Sequence, residues 1–162
     1  MNHKRTKDFR HSLAIMIIFT IVVVINMTAC TAGDSSKNLV IPVSEISETA
    51  KFYPITTDGT RMEVVVLKAS DGTFRMAFNT CKVCHGSPKA YFEQVDDTLK
   101  CQKCGNTFPL DSVGVDAEKT DGCNPIAITE DKRTVTDESI TISYDVLKEN
   151  TNLFPSNWKE ES

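Results

Sequence analysis

Two cysteine pairs with the same internal spacing carry the most chemical information in this chain. They are Cys81-Lys82-Val83-Cys84 and Cys101-Gln102-Lys103-Cys104, separated by sixteen residues. Two residues between cysteines let one tight turn aim both sulfurs at a common point, and the intervening backbone N–H groups can then donate to the thiolates. Two such turns, brought together by strands, make a four-sulfur cage of roughly tetrahedral shape. The separation of the pairs falls in the range of metal sites. Gly105 directly follows the second pair, where a positive φ lets the chain leave the turn. His85-Gly86 follows the first, and histidine tolerates left-handed backbone better than most residues. Lys82, Lys89, Lys100 and Lys103 lie close in sequence and soften the negative charge of four thiolates.

Other chemistries compete for the same residues. Outside a reducing compartment the four cysteines can form two disulfides. Cys81 to His85 also spells the C-x-x-C-H attachment motif of c-type haem, which leaves the second pair unexplained and offers Met62 or Met76 as distal ligand. A thioredoxin-like role needs a βαβ setting, which the sequence lacks. Spacing alone does not separate zinc from iron.

The amino terminus places this chemistry. Lys4, Arg5, Lys7 and Arg10 precede an apolar run, Leu13 to Ile25, broken only by Thr20. A basic start, a short apolar core and small residues beyond it make a secretory signal. The core falls short of the roughly 20 residues that span a bilayer. Met27-Thr28-Ala29-Cys30 resembles the lipobox of bacterial lipoproteins, with Met27 where that family usually has leucine. The resemblance implies cleavage before Cys30, lipidation of its sulfur and attachment to the extracytoplasmic face of the cell membrane. An uncleaved signal anchor is the alternative, with the same topology.

Loss of residues 1 to 29 lowers Lys+Arg from 18 to 14 and Asp+Glu from 22 to 21, leaving a net charge of −7. That acidity, with no basic stripe, excludes nucleic acid as a partner. Cys30 aside, Cys123 is then the odd thiol. It is read either as a small buried residue or as an additional ligand or cover residue over the centre.

The elements that position the cysteines are short strands. Met62 to Leu67 is rich in β-branched residues, Ser70-Asp71-Gly72 is a turn signal, and Thr73 to Asn79 alternates, so the spacing predicts a hairpin. Asp96-Asp97 marks a second turn between strands leading into Cys101. Ile140 to Tyr144 supplies a late strand, and Ser44 to Ala50 a helical turn capped by Ser44 or Ser47. The fold class is mainly β: a small antiparallel domain, Rieske-like or zinc-ribbon-like, with metal-binding loops. The division is signal 1–29, flexible tether 30–38, metal domain 39–149 and C-terminal tail 150–162, the tail docking through Phe154 and Trp158.

The motif order has two resemblances. Asp71 to Cys81, Cys101 to Phe108 and Gly122-Cys123-Asn124-Pro125 resemble, in turn, the first ligand strand, second ligand loop and proline-containing cover loop of Rieske domains, with cysteine where that family has histidine. More closely, Lys51-Phe52-Tyr53-Pro54, Ala77 to Cys84, Cys101 to Phe108 and Gly122 to Pro125 resemble the bacterial FtrD-like membrane iron-sulfur proteins. That resemblance implies an iron-sulfur site and an association with iron-uptake systems. Many relatives carry several transmembrane helices, so a membrane electron path here must come from a redox or iron-transport partner. All-cysteine ligation by Cys81, Cys84, Cys101 and Cys104 implies a ferredoxin-like potential, below that of Rieske centres.

No catalytic constellation accompanies the cysteines. His85 is the single histidine after signal removal, and Asp96-Asp97 reads as a turn. The sequence describes an electron-transfer or metal-binding protein, with a structural zinc ribbon or a c-type cytochrome as alternatives.

Overall fold

The computed structural model describes residues 37–115 and 122–160. The expected signal, Cys30 and most of the tether lie outside the described residues. The architecture is mainly β and antiparallel, as the sequence predicts.

Strand β3 (Thr60–Lys68) explains the layering. Met62 through Leu67 are six consecutive buried residues. Side chains alternate between faces along a strand, so such a run must be covered on both sides. Met62, Val64 and Val66 enter one apolar cluster, and Val65 and Leu67 enter another. β3 therefore lies inside a four-stranded sheet with β2 (Lys51–Thr57), β4 (Phe74–Cys81) and β8 (Pro125–Ala127), in the order β2-β3-β4-β8.

The predicted hairpin is β3 with β4, in register from Val64 opposite Phe78 to Lys68 opposite Phe74. Its turn closes through Gly72 at φ 83°, and Asp71 accepts from the Thr73 N–H and from Arg75. A second hairpin, β2 with β3, turns at Asp58 and Gly59, both at positive φ. That Asp-Gly dipeptide is the strongest short hairpin signal, and it lies outside the strands the sequence reading picked out.

Each face of the central sheet carries a smaller sheet. On one side β1 (Leu39–Pro42), β10 (Ser139–Ile142) and β9 (Thr134–Val135) deliver Ile41, Ile140 and Ile142 to the first cluster. The tail joins them, with Phe154 edge-on to Phe78 at 6.2 Å and to Trp158 at 5.0 Å. The docking expected of Phe154 and Trp158 is thus observed, and both are buried. On the other side β5 (Phe92–Val95), β6 (Thr98–Cys101) and β7 (Thr107–Pro109) bring Phe92, Leu99 and Cys101 against Ala77 and Cys81. The β5–β6 turn is the predicted Asp96-Asp97, with Asp96 at φ 51°.

Three local expectations are corrected. The late strand ends at Ile142, because the Ser143 hydroxyl accepts the Val146 N–H and starts helix α1 (Tyr144–Glu149). The helical turn near Ser44 is a 3-10 turn over Val43–Glu45. Pro42 holds its cap position without a side-chain hydrogen bond, so neither Ser44 nor Ser47 caps it. His85 is not among the left-handed residues; its Nδ1 lies 3.0 Å from the Lys82 carbonyl oxygen.

A buried polar network ties the layers together. Asn79 on β4 donates to Glu63 (2.7 Å) and accepts the Phe92 N–H (2.9 Å), so its amide joins the central sheet to β5. Lys159 of the tail donates to both Glu63 oxygens. Asn79→Ala leaves the buried Phe92 N–H without its acceptor and removes one of the two donors to a Glu63 oxygen that Lys159 still holds, a loss of about 1–3 kcal/mol. Denaturant unfolding of the variant is expected to show a lowered midpoint with an unchanged slope. Gly114, at φ 69°, has no room for a side chain, since a Cβ there meets the Met76 carbonyl oxygen at 2.5 Å. Gly114→Ala is expected to destabilise by more than about 1 kcal/mol in the same measurement.

Candidate metal centre

Three segments converge between the central sheet and the β5–β7 sheet. The first leaves the end of β4. Pairing of β4 with β8 slips between Phe78 and Cys81, and a bulge of this kind re-aims the side chain that follows. Cys81 is turned into the layer and fully buried. The chain then turns at once, with the Cys84 N–H donating to the Cys81 carbonyl at 3.1 Å and the Ser87 N–H to that of Cys84 at 2.8 Å. The second segment leaves β6. The Gly105 N–H donates to the Cys101 carbonyl at 2.9 Å, and Gly105 holds the positive φ (77°) predicted for it.

The third segment is Gly122 to Pro125. The Asn124 N–H donates to the Gly122 carbonyl, making a tight turn centred on Cys123. The Lys82 N–H donates to the Asn124 carbonyl at 3.0 Å, and Pro125 pairs with Cys81. Cys123 is thereby held against the first cysteine turn by backbone hydrogen bonds.

The thiols of Cys81, Cys84, Cys104 and Cys123 all lie within 4.8 Å of one another. Cys101 belongs to the same corner but stands outside that set. It is buried among the apolar side chains of the second cluster, hydrogen-bonded to the Cys104 thiol and near enough to Cys81 and Cys84 for its charge to raise both. All five are free thiols. The set runs from a buried floor, Cys81 and Cys101, through half-buried Cys84 and Cys123, to an exposed rim at Cys104.

Electrostatics inside this corner separate the thiols. Burial pushes Cys81 far above the ordinary thiol range, against the pull of the Cys84 and Val83 N–H groups. Burial also raises Cys84, to about 11, with the Cys81 thiol pulling the other way. At Cys104 burial works upward but is outweighed by the Asn106 N–H and by the thiols of Cys123, Cys101 and Cys84, and the group falls to about 7. The backbone N–H donors expected around the thiolates are thus present at Cys81 and Cys104. Lys82, Lys89, Lys100 and Lys103 are exposed.

Such a donor set fits a thiophilic cation. Four sulfurs around one ion at about 2.3 Å stand about 3.8 Å apart along each tetrahedral edge, which the observed grouping accommodates. It does not fit covalent haem, since the buried Cys81 thiol points into the other sulfurs. Residues 46–154 match the family described as "Membrane iron-sulfur containing protein FtrD-like".

The chain belongs to the FtrD-like family.

Its converging cysteines are accordingly those of a metal-binding iron-sulfur protein. The family is described as a membrane one, and among the described residues no helix is long and apolar enough to cross a membrane. No curated protein matches the chain. Among solved structures, the quaternary ammonium Rieske monooxygenase CntA in complex with an inhibitor is similar at 17% identity and a TM-score of 0.39. The similarity covers 69% of this chain and 32% of that one. This chain spans about a third of that protein, and so loose a likeness transfers neither residues nor chemistry.

The unequal thiols give a pH signature. In reduced, metal-free protein Cys104 is expected to alkylate first, with a half-maximal rate near pH 7. Cys81 and Cys84 react only well above the ordinary thiol range. Because the folded protein keeps these two protonated, their contribution to metal-free stability is full below the unfolded thiol pKa and falls as pH rises above about 9, whereas that of Cys104 is present above about 9 and is lost as pH falls through about 7. Peptide mass mapping and melting curves across pH check both statements, and equal alkylation of all five cysteines at pH 7 contradicts them.

Proposed function

We propose that this FtrD-like protein is an extracytoplasmic, lipid-anchored carrier of single electrons that serves a membrane partner in iron reduction or uptake. The observation that carries the reading is the graded burial of its thiols. A floor of buried sulfur protects the centre, and the exposed Cys104 brings its edge to the surface, where a partner can approach. Cys81, Cys84 and Cys104 hold the centre, and Cys101 or Cys123 completes it. An iron-sulfur centre supplies one-electron redox chemistry at a potential set by thiolate charge, hydrogen bonds and exposure. The chain's own residues tune that potential: the Val83, Cys84 and Asn106 N–H groups stabilise thiolate charge. In this reading, anchoring through Cys30 confines the carrier to the membrane that holds its partner.

A second reading is favoured by the three-stranded sheet β5-β6-β7, whose C-x2-C-Gly turn is also the framework of a zinc ribbon. In that case the thiolates bind zinc and the domain serves protein interaction.

Anaerobic purification of the full chain separates the two. The electron-carrier reading predicts coloured protein that contains iron, bleaches with dithionite and recovers on reoxidation. Colourless protein with stoichiometric zinc and no response to dithionite contradicts it.

A further inference from the structure

Five thiols share a corner that needs four, and the structure separates them by what else each is doing. Cys101 is a strand residue. It pairs with Phe92, its N–H donates to the Asn106 carbonyl, and its carbonyl accepts the Gly105 N–H. Its side chain is fully buried beside Leu99 and Val113, the position of a small apolar residue. Cys123 is the reverse. It belongs to no strand and forms the tip of a tight turn. Its backbone is fastened to the Cys81 turn by the Lys82 N–H to Asn124 carbonyl bond and by the Pro125 pairing. Its thiol lies within 4.8 Å of each of Cys81, Cys84 and Cys104.

We propose that Cys123 is a metal ligand, completing with Cys81, Cys84 and Cys104 a seat for one ion, while Cys101 is a buried supporting thiol beside Cys104. The inference rests on the reading of this corner as a thiolate metal centre and assigns its fourth ligand. The mutual grouping matters for size as well as identity. Sulfurs on one tetrahedral ion are about 3.8 Å apart, whereas thiolates bound to different irons of a cluster stand farther apart. Four sulfurs that are all mutual neighbours enclose one ion. The assignment also gives the Gly122 to Pro125 segment a purpose. It closes the site from the side opposite β6, so that three chain segments, not two, must be in place before the ion is held.

Cobalt(II) is the probe, added anaerobically to the reduced full chain, with sulfur coordination read by thiolate-to-metal absorption and X-ray absorption. Wild type is expected to take up one ion with four sulfur neighbours. Cys123→His is expected to keep the ion while changing the set to three sulfurs and one nitrogen, a readout that no packing role produces. Cys123→Ser is expected to weaken binding by more than the roughly 10–100-fold that loss of a supporting contact costs. Cys101→Ser is expected to retain four sulfurs. Four sulfurs in Cys123→His, or loss of one in Cys101→Ser, overturns the assignment and leaves the metal centre standing. A wild type that binds no cobalt removes the centre and the assignment together. Iron and acid-labile sulfide in the native protein are a separate reading, and two or more irons with equal sulfide per chain overturn the single-ion seat.

Discussion

The mutual repulsion of thiolates in a partly dry corner is the constraint on which this structure turns. Five thiols from three distant segments meet where burial, with a further push from the neighbouring thiols, keeps Cys81 and Cys84 protonated. A cation changes the balance. It replaces the protons, neutralises the charge and adds a direct link between the three segments.

The rest of the fold supplies alignment for that meeting. The central sheet is packed on both faces, so a one-residue shift of β4 drives the large Met76 and Phe78 side chains into the cluster that Ala77 occupies and leaves the opposite cluster underfilled. The bulge before Cys81 then departs from this fixed register at the point where a sulfur must turn inward. Asn79 fastens the same strand to Phe92, and Phe92 pairs with Cys101, so the two C-x2-C turns are set against each other by one buried amide. The tail reaches the site as well: the Lys159 N–H donates to the Pro88 carbonyl behind the first turn, and its ammonium holds Glu63. The site is thus braced from both layers.

Local chemistry was legible in the sequence, and long-range geometry was not. The C-x2-C turns, the Gly105 conformation and the β3–β4 hairpin follow from short-range sterics and alternation, and all appear as expected. The extent of the late strand was misjudged because Ser143-Tyr144 reads equally as strand residues or as a cap and first turn, and packing of Leu147 against the core selects the helix. Asn79 gave no signal, since a polar residue in an alternating strand looks like a solvent-facing position. Its burial arises only because β5 covers that face.

The candidate site shows the same division. Sequence spacing assigned the metal to Cys81, Cys84, Cys101 and Cys104, whereas the group of mutual neighbours substitutes Cys123 for Cys101. The sequence leaves Cys123 either as a small buried residue or as an additional ligand or cover residue. Its approach to Cys81 depends on β4–β8 pairing between segments more than forty residues apart, and spacing rules do not contain that distance.

Native mass spectrometry of the full chain, purified without oxygen, tests the central claim most directly. A folded protein carrying bound metal, with Cys81, Cys84, Cys101, Cys104 and Cys123 free of disulfide bonds, is the predicted result. A folded protein of metal-free mass, lighter by two hydrogens for each pair of joined sulfurs, contradicts it.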